Sequence, residues 1–540
     1  MNRILGACIG SCVHVAGILN FLNLANKYDY RTKFLGSACT VGKIKEGIKE
    51  FNPDIVAVSY RLSPESAMPV FKKLKKEIFE KQKGKMKFIL GTTKPVAEVV
   101  NSLNMFDVIF TGEEGKETVT AYLKKGEARV SKEKPPQSLA ERVEYKKPFP
   151  VLRHHFGRPT MEETVKGIKE IASSGIIDVV SIGPDQNTQE FFFEPEKMNP
   201  DQNGAGGVPV RSERDFKKLF EATRMGNYPI MRCYSGTNNI ARMAKVLLNN
   251  INNAWCAVPL CWYNELDNRS QRKLVDAIKE NQEVMKWHAQ RGVPVEVNES
   301  HHWSLRYSPD SVAVAAAYLA AYNAKKMGVG NYVAQYMFNT PPETSFTMDL
   351  AKMLAKVELI ESLHDSKFTS LRQTRAGLYS YPASYDEGKG QLASSTLLQM
   401  QLDPHIVHVV AYCEPDHAAK PQDVIESTKI AVKAIKNYLN GCPDMKLDQK
   451  VQERKKQLVG DARLILQKIK ELDRDDSFED PLAAPEIISK AIKLGILDAP
   501  HLQGVEAASG KIRTMFVKGA NFTIDGKGKV LAEKERLNLL

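Results

Sequence analysis

Ile4-Leu5-Gly6-Ala7-Cys8-Ile9-Gly10-Ser11-Cys12-Val13-His14-Val15-Ala16-Gly17 is the stretch that decides the fold. Ile4–Ile9 is a continuous apolar run, the pattern of a strand buried on both faces, and an amphipathic segment follows it from His14 to Tyr28. A secretory leader also places apolar residues after a basic one such as Arg3. Here Gly10, Ser11 and His14 interrupt the apolar stretch, and a strand explains it better. The loop after that strand then lies at the carboxyl edge of a sheet, where doubly wound folds bind ligands.

Reading outward, the pattern repeats. Apolar runs recur at Asp54–Ser59, Phe88–Leu90 and Asp107–Phe110, with a weaker one near Thr32–Leu35. Amphipathic stretches separate them at Val41–Phe51, Pro64–Glu80, Pro95–Leu103 and Glu117–Lys125. Five strand–helix units predict a doubly wound, flavodoxin-like α/β domain over residues 1–128. Residues 129–158 are rich in Lys, Glu, Pro and Ser and are expected to be an exposed linker. A second series follows, with strands at Ile177–Ile182, Pro229–Cys233, Trp255–Leu260, Pro294–Asn298, Tyr332–Phe338, Lys367–Ser370 and Ile406–Tyr412. Its units recur about every 35–40 residues, which predicts a (β/α)8 TIM barrel over residues 159–440. Residues 441–540 are expected to form a helical and β tail packed on the barrel, with a hairpin around Asp525-Gly526.

Composition narrows the function classes. The chain has 540 residues and 76 basic against 64 acidic side chains, a net +12. Its 43% hydrophobic content excludes wholesale disorder, and no apolar run approaches the ~20 residues that span a bilayer. Eight scattered cysteines without a CxxC pair fit a reducing cytoplasm. Lysines alternate with apolar positions on helical stretches, so the charge reads as solvated faces. Without aromatic interleaving or a nucleic-acid motif, neither a nucleic acid nor a membrane is expected as a partner. The expected partner is a small-molecule substrate, a carboxylate-bearing one among the candidates, and a homodimer is compatible with the sequence.

His14 is the sharpest candidate ligand. A neutral imidazole at the sheet edge presents a ring nitrogen to a metal, and Gly17 lets the backbone pass close to a bulky ligand. A histidine at a helix start also serves as a cap or a surface residue. The segment Cys12-x-His14-x-x-Gly17 resembles the D-x-H-x-x-G loop of cobalamin-binding domains. Ser59-Tyr60-Arg61 and Gly91-Thr92 stand where that family has S-x-L and a double glycine. The resemblance implies cobalamin as cofactor, with His14 as lower axial cobalt ligand and Ser59 against the displaced nucleotide tail. It also implies cofactor contacts from Ser11, Cys12, Val13, Val15, Gly17, Tyr60, Arg61, Gly91, Thr92, Thr93 and Gly112. Cys12 replaces the aspartate that holds the ligating histidine and is a weaker partner; a small buried residue is its plainer role.

The second half, from about Ile177 onward, resembles the large subunit of glutamate mutase (methylaspartate mutase). The resemblance rests on Pro229-Ile230-Met231-Arg232, Trp262-Tyr263-Asn264, Val312–Gly330, Val409–Leu439 and Gly495–Pro500. It implies an adenosylcobalamin-dependent carbon-skeleton isomerase, with adenosylcobalamin expected over methylcobalamin. Arg232 would bind substrate, and Asp416 or Glu414 would replace the acid that holds the cofactor's ribose; Tyr263 is a candidate to stack on or hydrogen-bond a ligand, with a buried structural role as the alternative. A second substrate arginine would fall near Gln186-Asn187 and a catalytic glutamate near Ala257, and neither is present; a ribose lysine is also missing. Glutamate is therefore not expected as substrate. A corrinoid methyl-transfer protein and a non-catalytic cobalamin-binding protein are the alternatives. Asp185, Asn187, Asn298, Glu299, Arg372 and Arg375 are further candidates for a pocket. His301-His302 is a tempting pair, but adjacent histidines are expected to point apart.

Overall fold

The computed structural model describes residues 2–82, 84–112, 116–124 and 134–540, in two compact units, Met1–Glu133 and Lys134–Leu540. The expected domain boundary at residue 128 lies outside the described residues.

In the first unit, β1 (Arg3–Cys8), β2 (Arg31–Phe34), β3 (Ile55–Ser59), β4 (Lys87–Gly91) and β5 (Val108–Phe110) form a wholly parallel sheet ordered β2-β1-β3-β4-β5. This is the flavodoxin-like order. The chain leaves β1 toward one edge and returns to β3, so a crevice opens between the carboxyl ends of those two strands. Every residue of β3 is buried, as its uninterrupted apolar run requires. Local chemistry ends the loops. Thr40 Oγ1 accepts from Lys43 N–H to cap helix Val41–Phe51, and Ser63 with Pro64 starts helix Pro64–Leu74.

In the second unit, eight parallel strands form the expected barrel. They are β6 (Val151–Phe156), β7 (Val179–Ile182), β8 (Ile230–Arg232), β9 (Cys256–Val258), β10 (Val295–Val297), β11 (Asn331–Phe338), β12 (Thr369–Ala376) and β13 (Ile406–His408). The ladder runs β8-β7-β6-β13-β12-β11-β10-β9. Ala254 N–H donates to Met231 O at 2.9 Å and Ser235 N–H to Ala257 O at 3.5 Å, which joins β8 to β9.

Two expectations are corrected. The stretch 129–158 is not simply an exposed linker: among its described residues, β6 sits between β7 and β13, and helix Leu139–Lys146 precedes it. Leu139 and Val143 of that helix cluster with Val151, Val179, Ile230, Trp255 and Ile406, at the amino ends of the strands, so the helix plugs the bottom of the barrel. The polar residues of β6, Arg153 and His155, had masked the strand. Likewise β12 extends to Ala376 and contains Arg372 and Arg375, which had read as lying beyond it. In the tail, helix Gln449–Lys470 packs on helices Asp310–Lys326 and Phe346–Glu361. A hairpin of β14 (Thr514–Val517) with β15 (Ala520–Thr523) turns at Lys518-Gly519, both with positive φ. A second antiparallel turn lies around Asp525-Gly526, where Ile524 bridges Val530 and Asp525 N–H donates to Lys529 O.

Among the described residues, no helix is long and apolar enough to cross a membrane. All eight cysteines are free, and seven are buried.

Candidate functional site

The first unit carries a mainly apolar cavity of about 420 Å³ at the carboxyl edge of its sheet. Gly17, Phe21 and Leu24 of helix Ala16–Asn26 form one side, and Ser59, Arg61, Gly91, Thr92, Phe110 and Gly112, at or just beyond the carboxyl ends of β3, β4 and β5, form the other. The glycines set its width. A Cβ at Gly17 or Gly112 would meet nothing within 4 Å, and one at Gly91 would only touch Val58 O at 4.0 Å. Side chains there would project into the slot. A flat aromatic group fits a space of this size and apolarity.

His14 stands in the loop between β1 and that helix and is exposed. Its carbonyl is anchored by Ser59 Oγ (3.5 Å) and Cys8 Sγ (3.6 Å). Its Nδ1 lies 3.7 Å from Cys12 Sγ, which accepts from Arg61 N–H at 3.4 Å. The ring is therefore steered from one side, which leaves Nε2 as the nitrogen for an outside ligand. A metal on Nε2 requires the proton on Nδ1, donated to Cys12 Sγ, a far weaker acceptor than a carboxylate.

The other candidates of this unit divide. Ser59, Arg61, Gly91, Thr92, Gly17 and Gly112 line the cavity. Thr92 Oγ1 donates to Tyr60 O at 2.6 Å and fixes two strand ends together. Tyr60 is only 1% exposed, stacks edge-on against Phe71 and donates to Ser66 Oγ, so its side chain is core, not lining. Ser11 and Val13 are exposed loop positions, Val15 packs on the core, and Thr93 precedes helix Lys94–Asn101.

The barrel's lumen holds the second constellation, which sequence patterning largely missed. Above the apolar plug, Glu296 of β10 meets Arg232 of β8 at 3.2 Å and Arg153 of β6 at 3.5 Å, and its Oε2 accepts from Trp255 Nε1 at 2.6 Å. Strands β6 and β10 lie on opposite sides of the barrel, so these contacts cross the lumen. Arg153 also donates to Ser181 Oγ (2.7 Å) and Gln373 Oε1 (2.6 Å) and lies 2.9 Å from His155 Nε2. Gln335 continues the network to His301 Nδ1 at 3.0 Å. Burial alone would raise the Glu296 carboxyl, but Arg232, Arg153 and the Trp255 N–H outweigh it and hold it below the usual range. Burial and Arg153 push His155 and His408 well below the ordinary histidine value, and burial with Arg375 brings His301 down to about 3, so these rings are neutral. Arg375 sits nearby, with Glu414 as its main electrostatic partner.

Among the described residues, Arg232 Nε, Glu296 Oε1 and His408 Nδ1 are buried without a hydrogen-bond partner. Buried polar atoms seldom stay unpaired, so each is an anchoring point for a bound molecule or water. The structure thus brings Arg232 into the lumen beside Glu296. Ala257, where the resemblance would put a glutamate, pairs in register with Glu296, so a carboxylate stands one strand away. A charged residue in the middle of Val295-Glu296-Val297 was the available signal, because a strand covered by helices outside can only direct a charge inward.

Tyr263 lies at the carboxyl ends of the strands, with φ of +67°, beneath Arg269 (4.8 Å) and edge-on to His302 (5.4 Å). Burial raises its hydroxyl above the usual value, which keeps it protonated. The histidine pair does not point apart: the His301 and His302 rings lie 4.3 Å from each other. Glu299 accepts from Leu260 N–H and Cys261 N–H, each at 3.0 Å, and so shapes the loop that carries Tyr263. Asp185 accepts from Gly204 N–H and pairs with Arg211, and Asn187 bonds Asn199 O; both close a loop. Arg372 pairs with Glu361. Asp416 is exposed and bound to Tyr385 and His417, in a surface network distinct from the lumen polar layer.

No protein-family model matches the chain, and no curated protein matches it. Among solved structures, a novel cobalamin-binding protein from Desulfitobacterium hafniense DCB-2 aligns with 24% of this chain at 25% identity and a TM-score of 0.20. This chain spans 59% of that protein's length. The Amycolatopsis orientalis BexX/CysO complex aligns with 54% of this chain and 93% of its own at 9% identity and a TM-score of 0.30. The cobalamin-dependent S-adenosylmethionine radical enzyme OxsB with aqua-cobalamin bound aligns with 91% of this chain and 70% of its own, at 11% identity and a TM-score of 0.21. All three scores fall below 0.5, so none of these likenesses assigns a fold or a function to this chain.

Proposed function

We propose that the chain is a cobalamin-dependent enzyme, an adenosylcobalamin isomerase of the glutamate mutase kind acting on an anionic small molecule other than glutamate. The observation that carries this reading is the pairing of His14 with the adjacent apolar slot. One supplies an imidazole nitrogen for cobalt, and the other an apolar bed, widened by Gly17, Gly91 and Gly112, for the nucleotide tail. Ser59 and Arg61 stand at the slot's rim, where Arg61 matches an anionic group on that tail. When bound, adenosylcobalamin supplies a carbon-centred radical by homolysis of its cobalt–carbon bond.

The barrel's own residues would do the rest. The unpaired Arg232 Nε and the Arg375 guanidinium supply donors for a carboxylate. His155, His301 and His408, held neutral, offer hydrogen bonds without adding charge. The plug helix Leu139–Lys146 closes the amino end of the lumen and excludes water from below.

The test is anaerobic reconstitution of the full chain with adenosylcobalamin and methylcobalamin separately. The cob(II)alamin form should show electron paramagnetic resonance splitting from one imidazole nitrogen, lost in His14→Ala. Failure to bind either form sinks the proposal. A panel of small carboxylates should include one that produces a coupled Co(II)–organic radical signal with the adenosyl form. Binding without any such signal would leave methyl transfer or simple cobalamin binding as the activity.

A further inference from the structure

The loop after β13 holds a second group of ligating side chains, outside the lumen and separate from His14. Cys413 O accepts from both Asp416 N–H and His417 N–H at 2.9 Å. That single helical turn puts residues four apart, Cys413 and His417, on one side. Helix Pro421–Leu439 starts just beyond, and Asp423 in its first turn accepts from Lys420 N–H at 2.9 Å, which fixes the carboxylate. His417 Nε2 lies 3.1 Å from Asp423 Oδ2. One ligand atom each from Cys413, His417 and Asp423 lie within 4.8 Å of one another.

A second observation concerns the other face of the imidazole. Asp416 Oδ2 lies 2.9 Å from His417 Nδ1 and accepts from Tyr385 OH at 2.7 Å. Asp416 holds the Nδ1 proton and orients the ring, so that Nε2 faces Asp423; without a metal the two carboxylates hold the imidazole above its ordinary pKa, and a metal at Nε2 takes the place of that proton. This carboxylate–histidine arrangement is how proteins prepare a histidine for a metal.

We propose that Cys413, His417 and Asp423 bind a zinc ion, with Asp416 as the residue that positions His417. Sulfur, nitrogen and oxygen donors together suit zinc, which takes three protein ligands and a fourth from solvent. Zinc–sulfur and zinc–nitrogen bonds of about 2.3 and 2.0 Å separate neighbouring ligand atoms by roughly 3.3–3.8 Å. The observed group therefore needs to contract by only about 1 Å. On binding, the Cys413 thiol proton and the His417 Nε2 proton leave to solvent, and thiolate plus carboxylate balance the dication. The ion would pin the loop that carries Glu414, the partner of Arg375, to the start of helix Pro421–Leu439. This proposal does not depend on cobalamin.

The test uses the full chain, prepared free of corrinoid so that its cobalt does not interfere, treated with chelator, loaded with zinc and desalted. Elemental analysis should find about one zinc per chain. Cobalt(II) used as a substitute should give a thiolate-to-metal charge-transfer band in the near ultraviolet. His417→Ala should weaken zinc at least about 100-fold, and Asp416→Asn by about 10–100-fold with the band retained. Cys413→Ser should remove the band, and His14→Ala should change nothing. Circular dichroism checks that each variant is folded; should Cys413→Ser unfold, the half-buried His417 still decides the matter. Less than roughly 0.1 zinc per folded chain overturns the site, as does equal retention by His417→Ala or loss in His14→Ala.

Discussion

Replacing Glu296 by glutamine removes one charge from the barrel lumen and little else. The side chain keeps its volume, and its amide oxygen can still accept from Trp255 Nε1, now 2.6 Å away. What disappears is the attraction to Arg232 at 3.2 Å and Arg153 at 3.5 Å. At an effective dielectric constant near 20, each contact is worth about 5 kcal/mol before desolvation. Most of that is returned because a neutral side chain costs less to bury. Removing one partner of a buried ion pair costs about 3–5 kcal/mol overall. Arg153 keeps its bonds to Ser181 and Gln373, so about 3 kcal/mol is the expected loss. Urea unfolding followed by tryptophan fluorescence measures it cleanly, because Trp255, Trp262, Trp287 and Trp303 all belong to the barrel unit. The pH dependence has a definite sign. The folded carboxyl lies below its unfolded value of 4.5, so its contribution is full above pH 4.5 and fades as the pH falls through the folded value. The gap between wild type and variant should close in acid. A loss under about 1 kcal/mol at neutral pH would refute the assignment of Glu296 as the counter-charge. Millimolar acetate should partly restore the variant's stability, because an anion can then stand where the carboxylate charge was.

Three other perturbations probe separate parts of the molecule. Gly17→Phe should abolish cobalamin binding while leaving the far-ultraviolet circular dichroism unchanged, since its Cβ meets nothing within 4 Å; retained binding would place the tail elsewhere. Arg142→Met should destabilise the barrel by about 2 kcal/mol in the same urea assay, because Arg142 pairs with buried Asp178 at 3.5 Å and donates to Tyr228 O at 2.9 Å. Burial and neighbouring Lys352 pull the Lys356 amine down to about 7 from 10.5, so the unfolded chain binds the extra proton between those values and stability should rise with pH across that window; Lys356→Met should flatten the rise, and an unchanged slope would show that another group titrates.

In the five-stranded sheet β1, β3 and β4 were legible because they are largely buried and read as apolar runs ending near glycine or serine, whereas half-buried β2 and β5 gave a weaker pattern. Part of the slot was legible too: Gly17, Ser59, Arg61, Gly91, Thr92 and Gly112 line it. Tyr60 was misplaced because strand alternation alone does not say that the residue after β3 turns back toward Phe71. The barrel was harder. Val-Leu-Arg-His-His-Phe at 151–156 and Leu-Arg-Gln-Thr-Arg-Ala at 371–376 look like surface sequence, since Arg153, His155 and Gln373 face a lumen rather than solvent. Patterning distinguishes buried from exposed only when the buried side is apolar. The plug helix was hidden for a related reason, because its buried face includes Arg142, whose partners Asp178 and Tyr228 are distant in sequence.

The same polar lumen constrains what can bind there. Arg153, Arg232 and Arg375 bring three positive charges, against the carboxylates of Glu296 and, beside Arg375, Glu414. The surrounding histidines are held neutral, so they do not add to the excess. A cationic ligand would worsen the imbalance, and a neutral one would leave it. An anion corrects it and pairs with Arg232 Nε, which is buried without a partner. Glu296 already holds one face of Arg232, so a second carboxylate would find the guanidinium oriented rather than free to swing away. The unpaired Glu296 Oε1 and His408 Nδ1 are met by water or by polar groups on the same molecule. On the proposed function, this lumen suits a small anion that carries a hydroxyl or amino group as well as a carboxylate.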